Sequence, residues 1–172
     1  MALCVEFGGF AAATRGVRAD GIHPKTKMMK AESPEDKTPI RSATPDDIEQ
    51  VETLIGPFVE QRMLLPRTQE ELAKLIPNGF VAECDGEVVG FAAVEIYSQR
   101  LAELQCMAVA KRLHGRGIGR RLVECCVQRA REQGVFELMA ITASEAMFRS
   151  CGFDYSLPDQ KRALFIQTRN RD

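Results

Sequence analysis

Between His114 and Arg121 the chain reads HGRGIGRR, with glycines at alternate positions and three arginines beside them. The stretch follows an apolar run, LAELQCMAV, and precedes a helical pattern that places Ile118, Leu122, Val123, Cys126 and Ala130 on one face. A helix begins with N–H groups that lack carbonyl partners and with the positive end of its dipole, so it draws anions. Glycine removes the Cβ that would hold a phosphate away from the backbone, and Gly115, Gly117 and Gly119 do so in one turn of chain. Arg116, Arg120 and Arg121 add side-chain charge. The chemistry these types suit is the binding of a diphosphate. The same residues also fit a tight strand-to-helix turn with solvated arginines.

Spacing narrows the choice of anion. A nucleoside-triphosphate loop needs GxxxxGK followed by Ser or Thr, and Arg120 and Arg121 stand in those places. A dinucleotide fingerprint needs GxGxxG opening the fold, whereas Leu122 takes the third glycine's place and several strands come first. Lys111, Arg112, Arg116, Arg120 and Arg121 form a basic cluster that could meet RNA or DNA. No aromatic platform or recognition-helix pattern accompanies it, so nucleic acid is not the expected partner.

The loop needs elements to hold it. IRSA, from Ile40, reads as a short strand. Thr44, Pro45 and Asp46 then give an N-cap, a first-turn proline and acidic charge for a helix carrying Ile48, Val51, Leu54 and Ile55, with Gly56 and Pro57 ending it. RTQEELAKLI opens with a capping box, Thr68 and Glu71, and buries Leu72, Leu75 and Ile76. GFVAECDGEVVGFAAVEIY gives two strands joined at Asp85–Gly86, a pair that tolerates a hairpin's positive φ. Leu101 to Val109 is the third consecutive antiparallel strand. After the loop come a helix from Gly117 to about Gln133, a strand FELMAIT, a short helix SEAMFRSC and Gly152 closing it. A meander followed by alternating strand and helix predicts a mixed α/β fold: a central, mostly antiparallel sheet flanked by helices on both faces. Ligands of such sheets sit where strand ends diverge and helix N-termini point inward.

Composition excludes some classes. A chain of 172 residues is long enough for one continuous core, and 23 basic against 24 acidic side chains leave a net charge of −1. That balance argues against a protein that coats nucleic acid or an acidic membrane. The six cysteines lie in apolar stretches without CxxC or Cys/His spacing, which reads as reduced thiols of a cytoplasmic protein and no metal site. No run approaches the ~20 apolar residues of a membrane span, so no membrane partner is expected. Residues 1–39 mix glycine, proline and charge without period and read as a disordered extension, with Met28 or Met29 as an equal candidate start and Arg15 and Arg18 as a trace of an organelle presequence. The domain is then 40–172. Pairing of a free strand could give a homodimer.

With these elements in place, MAVAKRLHGRGIGRRLV resembles the acetyl-coenzyme A loop of the GNAT N-acetyltransferases, whose motif is Gln or Arg, two residues, Gly, one residue, then Gly or Ala. Gly117 and Gly119 match, and His114 takes the first position. The resemblance implies acetyl-CoA as cosubstrate, its diphosphate on the amides of Gly115 to Arg120 and its pantetheine arm on the backbone of Met107 and Val109. Within that family Ile40 to Arg169 is most similar to the acetyltransferase domain of N-acetylglutamate synthases, through IRSATPDDI, LIGPFVEQRMLLPRTQEEL, AELQCMAV, MFRSCGF and LPDQKRALF. The kinase-like domain of larger synthases is not among the matching pieces.

That resemblance implies roles. An amine must lose a proton before it attacks a thioester, and Glu103 matches the general base of similar synthases. By residue type alone Glu103 reads as a solvent-facing strand carboxylate. Phe148 stands where many relatives carry a tyrosine acid; the synthases likewise have Phe there and use a Ser or Thr at the preceding strand end, which implies Thr142 as the acid, with Ser144 fitting less well. Arg67 matches a substrate-contacting arginine, and Arg169 is a second candidate for gripping a carboxylate. Either ALFIQT takes the place of the synthases' last strand or that edge of the sheet is left unfinished. The expected reaction is acetyl transfer to a small-molecule primary amine, the α-amino group of an amino acid such as L-glutamate, in arginine biosynthesis. Other acceptors (protein N-termini, lysines, polyamines) and a non-catalytic acyl-CoA sensor are the alternatives.

Overall fold

The computed structural model describes residues 38–142 and 144–154. Arg169, the ALFIQT segment and residues 1–37 lie outside the described residues. Among the described residues five strands form one sheet in sequence order: β1 (Ile40–Ser42), β2 (Gly79–Cys84), β3 (Glu87–Ser98), β4 (Leu101–Val109) and β5 (Glu137–Ala140). The first four are antiparallel neighbours, while β5 runs parallel to β4 from the pair Leu101–Glu137 to the pair Leu104–Ala140. The expected mixed, mostly antiparallel sheet is what forms. The hairpin turn falls on Asp85 and Gly86, with φ of 53° and 78°.

Alternation along the strands sends side chains to two cores. Val81, Val88, Phe91 and Ala93 meet α1 (Ile48–Glu60) and α2 (Gln69–Leu75) on one face. Ala82, Val89, Ala92 and Val94 meet α3 (Ile118–Glu132) and Phe148 of α4 (Glu145–Ser150) on the other. The buried face of α3 is Ile118, Leu122, Val123, Cys126 and Ala130, the set its period predicts. Of these, Ile118, Leu122 and Val123 each contribute roughly 1.5–3 kcal/mol through burial.

Local capping behaves as read for α2, where Thr68 Oγ1 accepts from Glu71 N–H at 3.2 Å and Glu71 accepts from Thr68 N–H at 2.8 Å. The backbone bond from Thr68 holds the Glu71 carboxyl below its usual range. Two boundaries differ from expectation. Helix α1 runs through Gly56 and Pro57 to Glu60. Proline forfeits the bond to the Thr53 carbonyl, but the stripe Val51, Ile55, Phe58 continues across it, and burying Phe58 offsets a cost of about 3 kcal/mol. Strand β5 is shorter than FELMAIT: Phe136 N–H turns to the Gln99 carbonyl, and pairing stops at Ala140.

Candidate active site

Strand β4 is the seam of the site. One residue too many lies between its pairs Gln105–Ala93 and Ala108–Phe91, and Cys106 takes the left-handed φ of 53°. An extra residue in one strand bends it and withdraws backbone groups from the ladder. It also resets which side chains face which core: Leu104, Met107 and Val109 pack on the α3 side, whereas Cys106 and Ala108 belong to the α1–α2 side. Because β5 stops pairing at Leu104, no strand among the described residues covers the outer edge of β4 from Gln105 to Val109.

The glycine loop stands at that edge. Gly115 and Gly117 have φ of 78° and 80°, which only glycine adopts without strain, and a Cβ at either would meet nothing within 4 Å. Open space over bare backbone at a helix start is what a diphosphate requires. Gly119 faces the strand, where a Cβ would come within 2.9 Å of Met107 Cε, so Met107, Val109 and the first turn of α3 are adjacent. His114 turns its ring back, with Nε2 2.8 Å from the Val109 carbonyl. A carbonyl only accepts, so Nε2 carries the proton, and His114 braces the loop against the strand end. Arg116 is exposed between the two glycines. Arg120 Nε donates to Glu124 Oε1 at 2.9 Å, and Arg121 reaches the Thr38 carbonyl at 2.9 Å, so both guanidinium groups make contacts within the fold.

On the opposite face lies a polar chain. Glu103 is only 9% exposed, and its Oε2 accepts from the Tyr97 hydroxyl at 2.7 Å. Gln105 Nε2 donates to the same Tyr97 oxygen at 3.2 Å, and Arg67 donates to Gln105 Oε1 at 2.7 Å. Arg67 and Glu103, 36 positions apart in sequence, are thus joined through two side chains. Burial, with the Glu103 bond second, pushes the Tyr97 phenol up to about 12. Burial likewise raises the Cys106 thiol, against the pull of Arg67. Among the described residues Arg67 Nε is buried without an acceptor, a state that costs roughly 1–3 kcal/mol until some carboxylate or carbonyl reaches it.

Thr142 lies two residues beyond the last β4–β5 pair, on the side where the strands part. Its Oγ1 accepts from Ser144 N–H at 2.9 Å, which leaves the hydroxyl proton to be given elsewhere. Phe148 is buried against Phe153, ring centroids 5.2 Å apart, and serves the core. Residue-by-residue reading missed Tyr97 and Gln105. The signal was available in part: 103 and 105 alternate on one strand face, but a ladder that steps from Ile96–Ala102 to Ser98–Leu101 makes Tyr97 an unpaired residue whose aim no pattern reveals.

A groove of about 580 Å³ also opens between α1 and the start of β3, lined by Gln50, Leu54, Pro57, Phe58, Val88 and Arg112. It contains none of the candidate side chains, and the strand gap fits the anion argument better. Among the described residues no cluster of His, Cys, Asp or Glu is arranged to hold a metal, and no helix is long and apolar enough to cross a membrane.

Comparison with known proteins agrees with this fold. Residues 46–153 match the family described as Acetyltransferase (GNAT) family. An uncharacterized N-acetyltransferase of Chlorobaculum tepidum is 30% identical over 67% of this chain and 75% of its own length. The amino-acid acetyltransferase of Vibrio cholerae is 32% identical over 85% of this chain and 33% of its own, so the chain spans about a third of that relative. Among solved structures, the Rv2747 protein of Mycobacterium tuberculosis in complex with CoA superposes with a TM-score of 0.65 at 25% identity, covering 73% of this chain and 76% of that one. N-acetylglutamate synthase from Neisseria gonorrhoeae, complexed with coenzyme A and N-acetyl-glutamate, gives 0.59 at 31%, covering 65% and 27%.

Proposed function

The chain belongs to the acetyltransferase (GNAT) family, and from that premise we propose that it transfers acetyl from acetyl-CoA to the α-amino group of an amino acid, with L-glutamate as the leading acceptor. The observation that carries the reading is the single strand between the two half-sites. One side of β4 presents the glycine turn and an edge that no described strand covers beyond Leu104, and the other presents the buried Glu103 tied to Arg67. The acceptor amine and the acyl carrier can then meet at the bulge around Cys106.

Acetyl-CoA supplies an activated acyl group. The chain supplies the rest: amides from Gly115 to Arg120 hold the diphosphate, and the backbone of Met107 and Val109 aligns the arm. Glu103 takes the proton the ammonium group must lose, and backbone N–H groups freed by the bulge face the oxygen that gains charge. Thr142 relays a proton to the departing thiolate: its hydroxyl gives one proton to the sulfur and takes back the second proton that the nitrogen sheds as the amide forms. Arg67, with an unsatisfied Nε, grips a carboxylate of the acceptor, and Arg169 is the second candidate for a dicarboxylate. The names of the matching amino-acid acetyltransferases and synthases favour an amino acid over a peptide or polyamine. The same reading puts the enzyme in the cytoplasm and in arginine biosynthesis, with a second copy pairing along a free strand edge.

The test is thiol release from acetyl-CoA across amino acids, polyamines and peptides. Turnover with glutamate alone is the expected result. Turnover confined to peptides or polyamines retracts the acceptor, and CoA binding without thiol release from any amine makes the chain a sensor.

A further inference from the structure

Glu103 does not hold its own position. It faces Glu95 in the β3–β4 register, and two carboxylates directly opposite on antiparallel strands repel. Tyr97 stands between them, its hydroxyl 2.7 Å from Glu103 Oε2 and 3.3 Å from Glu95 Oε2. A phenol has one proton to give, and the direction of the chain decides how it is used. Guanidinium groups only donate, so Arg67 fixes which end of the Gln105 amide is oxygen. The NH₂ end must then face Tyr97 and donate to its oxygen. Every bond runs one way, from Arg67 through Gln105 and Tyr97 to the carboxylate, and the shorter bond assigns the phenolic proton to Glu103.

We propose that Tyr97 is the positioning residue of the reaction: it pins Glu103 Oε2, keeps the carboxylate off Glu95 and leaves Oε1 as the atom that receives the amine's proton. This rests on the reading of Glu103 as base. The bulge at Tyr97 is the structural means, since a residue skipped by the ladder can aim across the strand end instead of pairing with Leu101. The raised phenol remains a donor throughout the neutral range. The chain also makes the proton acceptor's geometry depend on Arg67.

The test is a cycle of Tyr97→Phe, Glu103→Gln and the double variant, with kcat and KM measured for both substrates and CoA affinity measured by calorimetry. Tyr97→Phe is expected to lower kcat about tenfold, as for one lost bond to a charged group, with CoA affinity within about twofold of the parent. In the Glu103→Gln background the same change should do nothing further, because the group it positions is gone. A crystal structure of Tyr97→Phe should show the Glu103 carboxylate displaced. Full kcat in Tyr97→Phe beside an inactive Glu103→Gln overturns the proposal and leaves the base reading standing. Losses that multiply in the double variant, or an unmoved carboxylate, also overturn it. Undiminished turnover in Glu103→Gln removes the base reading and this proposal with it.

Discussion

The two sides of β4 are built from different materials. On the α3 side the site is backbone: two glycines at positive φ, the first amides of a helix and a strand edge without a neighbour among the described residues. On the α1–α2 side it is side chains: Arg67 from a loop, Tyr97 from one strand, Glu103 and Gln105 from another. Backbone recognition tolerates changes of side chain but not of conformation, and a side-chain network does the reverse. A carrier common to many reactions suits the first side, and a particular acceptor suits the second. Variants on the two sides should therefore fail in separable ways.

The largest effect tests the chemical half. Glu103→Gln keeps size and hydrogen bonding but cannot take a proton, so kcat should fall by about 10²–10⁴ while the heat of CoA binding is unchanged. Next comes the carrier half. Gly117→Val forces a β-branched residue into the left-handed region, at roughly 1–2 kcal/mol, and sends its side chain into the space over the amides. CoA affinity should drop at least about tenfold, with kcat at saturating acetyl-CoA and the amine's KM nearly kept. If both constants moved together in either variant, the division along β4 would be wrong. Arg67→Lys sharpens it further. Lysine keeps the charge and loses the fork, so KM for an amino-acid acceptor should rise about tenfold with CoA affinity untouched.

The same division explains what could be read in advance. Helical period and capping residues are local, and they placed α3 with its buried face and the Thr68–Glu71 box of α2. The glycine turn was legible because positive φ and open space are demands that only glycine meets. Helix α1 resisted because burial of Phe58, a tertiary effect, overrides the local signal of Pro57. Gln105 was legible only as lying on the same strand face as Glu103, and Tyr97 not at all. Their roles depend on a bulge that changes the register and on an arginine 38 residues from its glutamine partner, and neither leaves a periodic trace.

The smallest effect on turnover should come from a charge on the same side of the sheet as the acceptor half but outside its network. Asp47, 3% exposed, accepts two bonds of 2.7 Å from the Arg41 guanidinium and one of 2.7 Å from Thr44 N–H, tying β1 to the start of α1. The bonds from Arg41 outweigh burial and lower its carboxyl from 3.8 to about 2. A depressed carboxylate stabilises the fold fully above the unfolded value near 4, and that contribution is lost as pH falls through about 2. Arg41 is raised still further and stays charged throughout. Allowing for the 42% exposure of the Arg41 side chain, Asp47→Asn should cost about 1–2 kcal/mol near pH 7. Melting curves of parent and variant should converge between pH 4 and pH 2. Below its melting temperature the variant should keep kcat and both KM values, since no bond in the Arg67–Glu103 chain passes through Asp47. A fall in kcat with the fold intact would mean that the acceptor half depends on how α1 is anchored, and the network could not then be treated as self-contained.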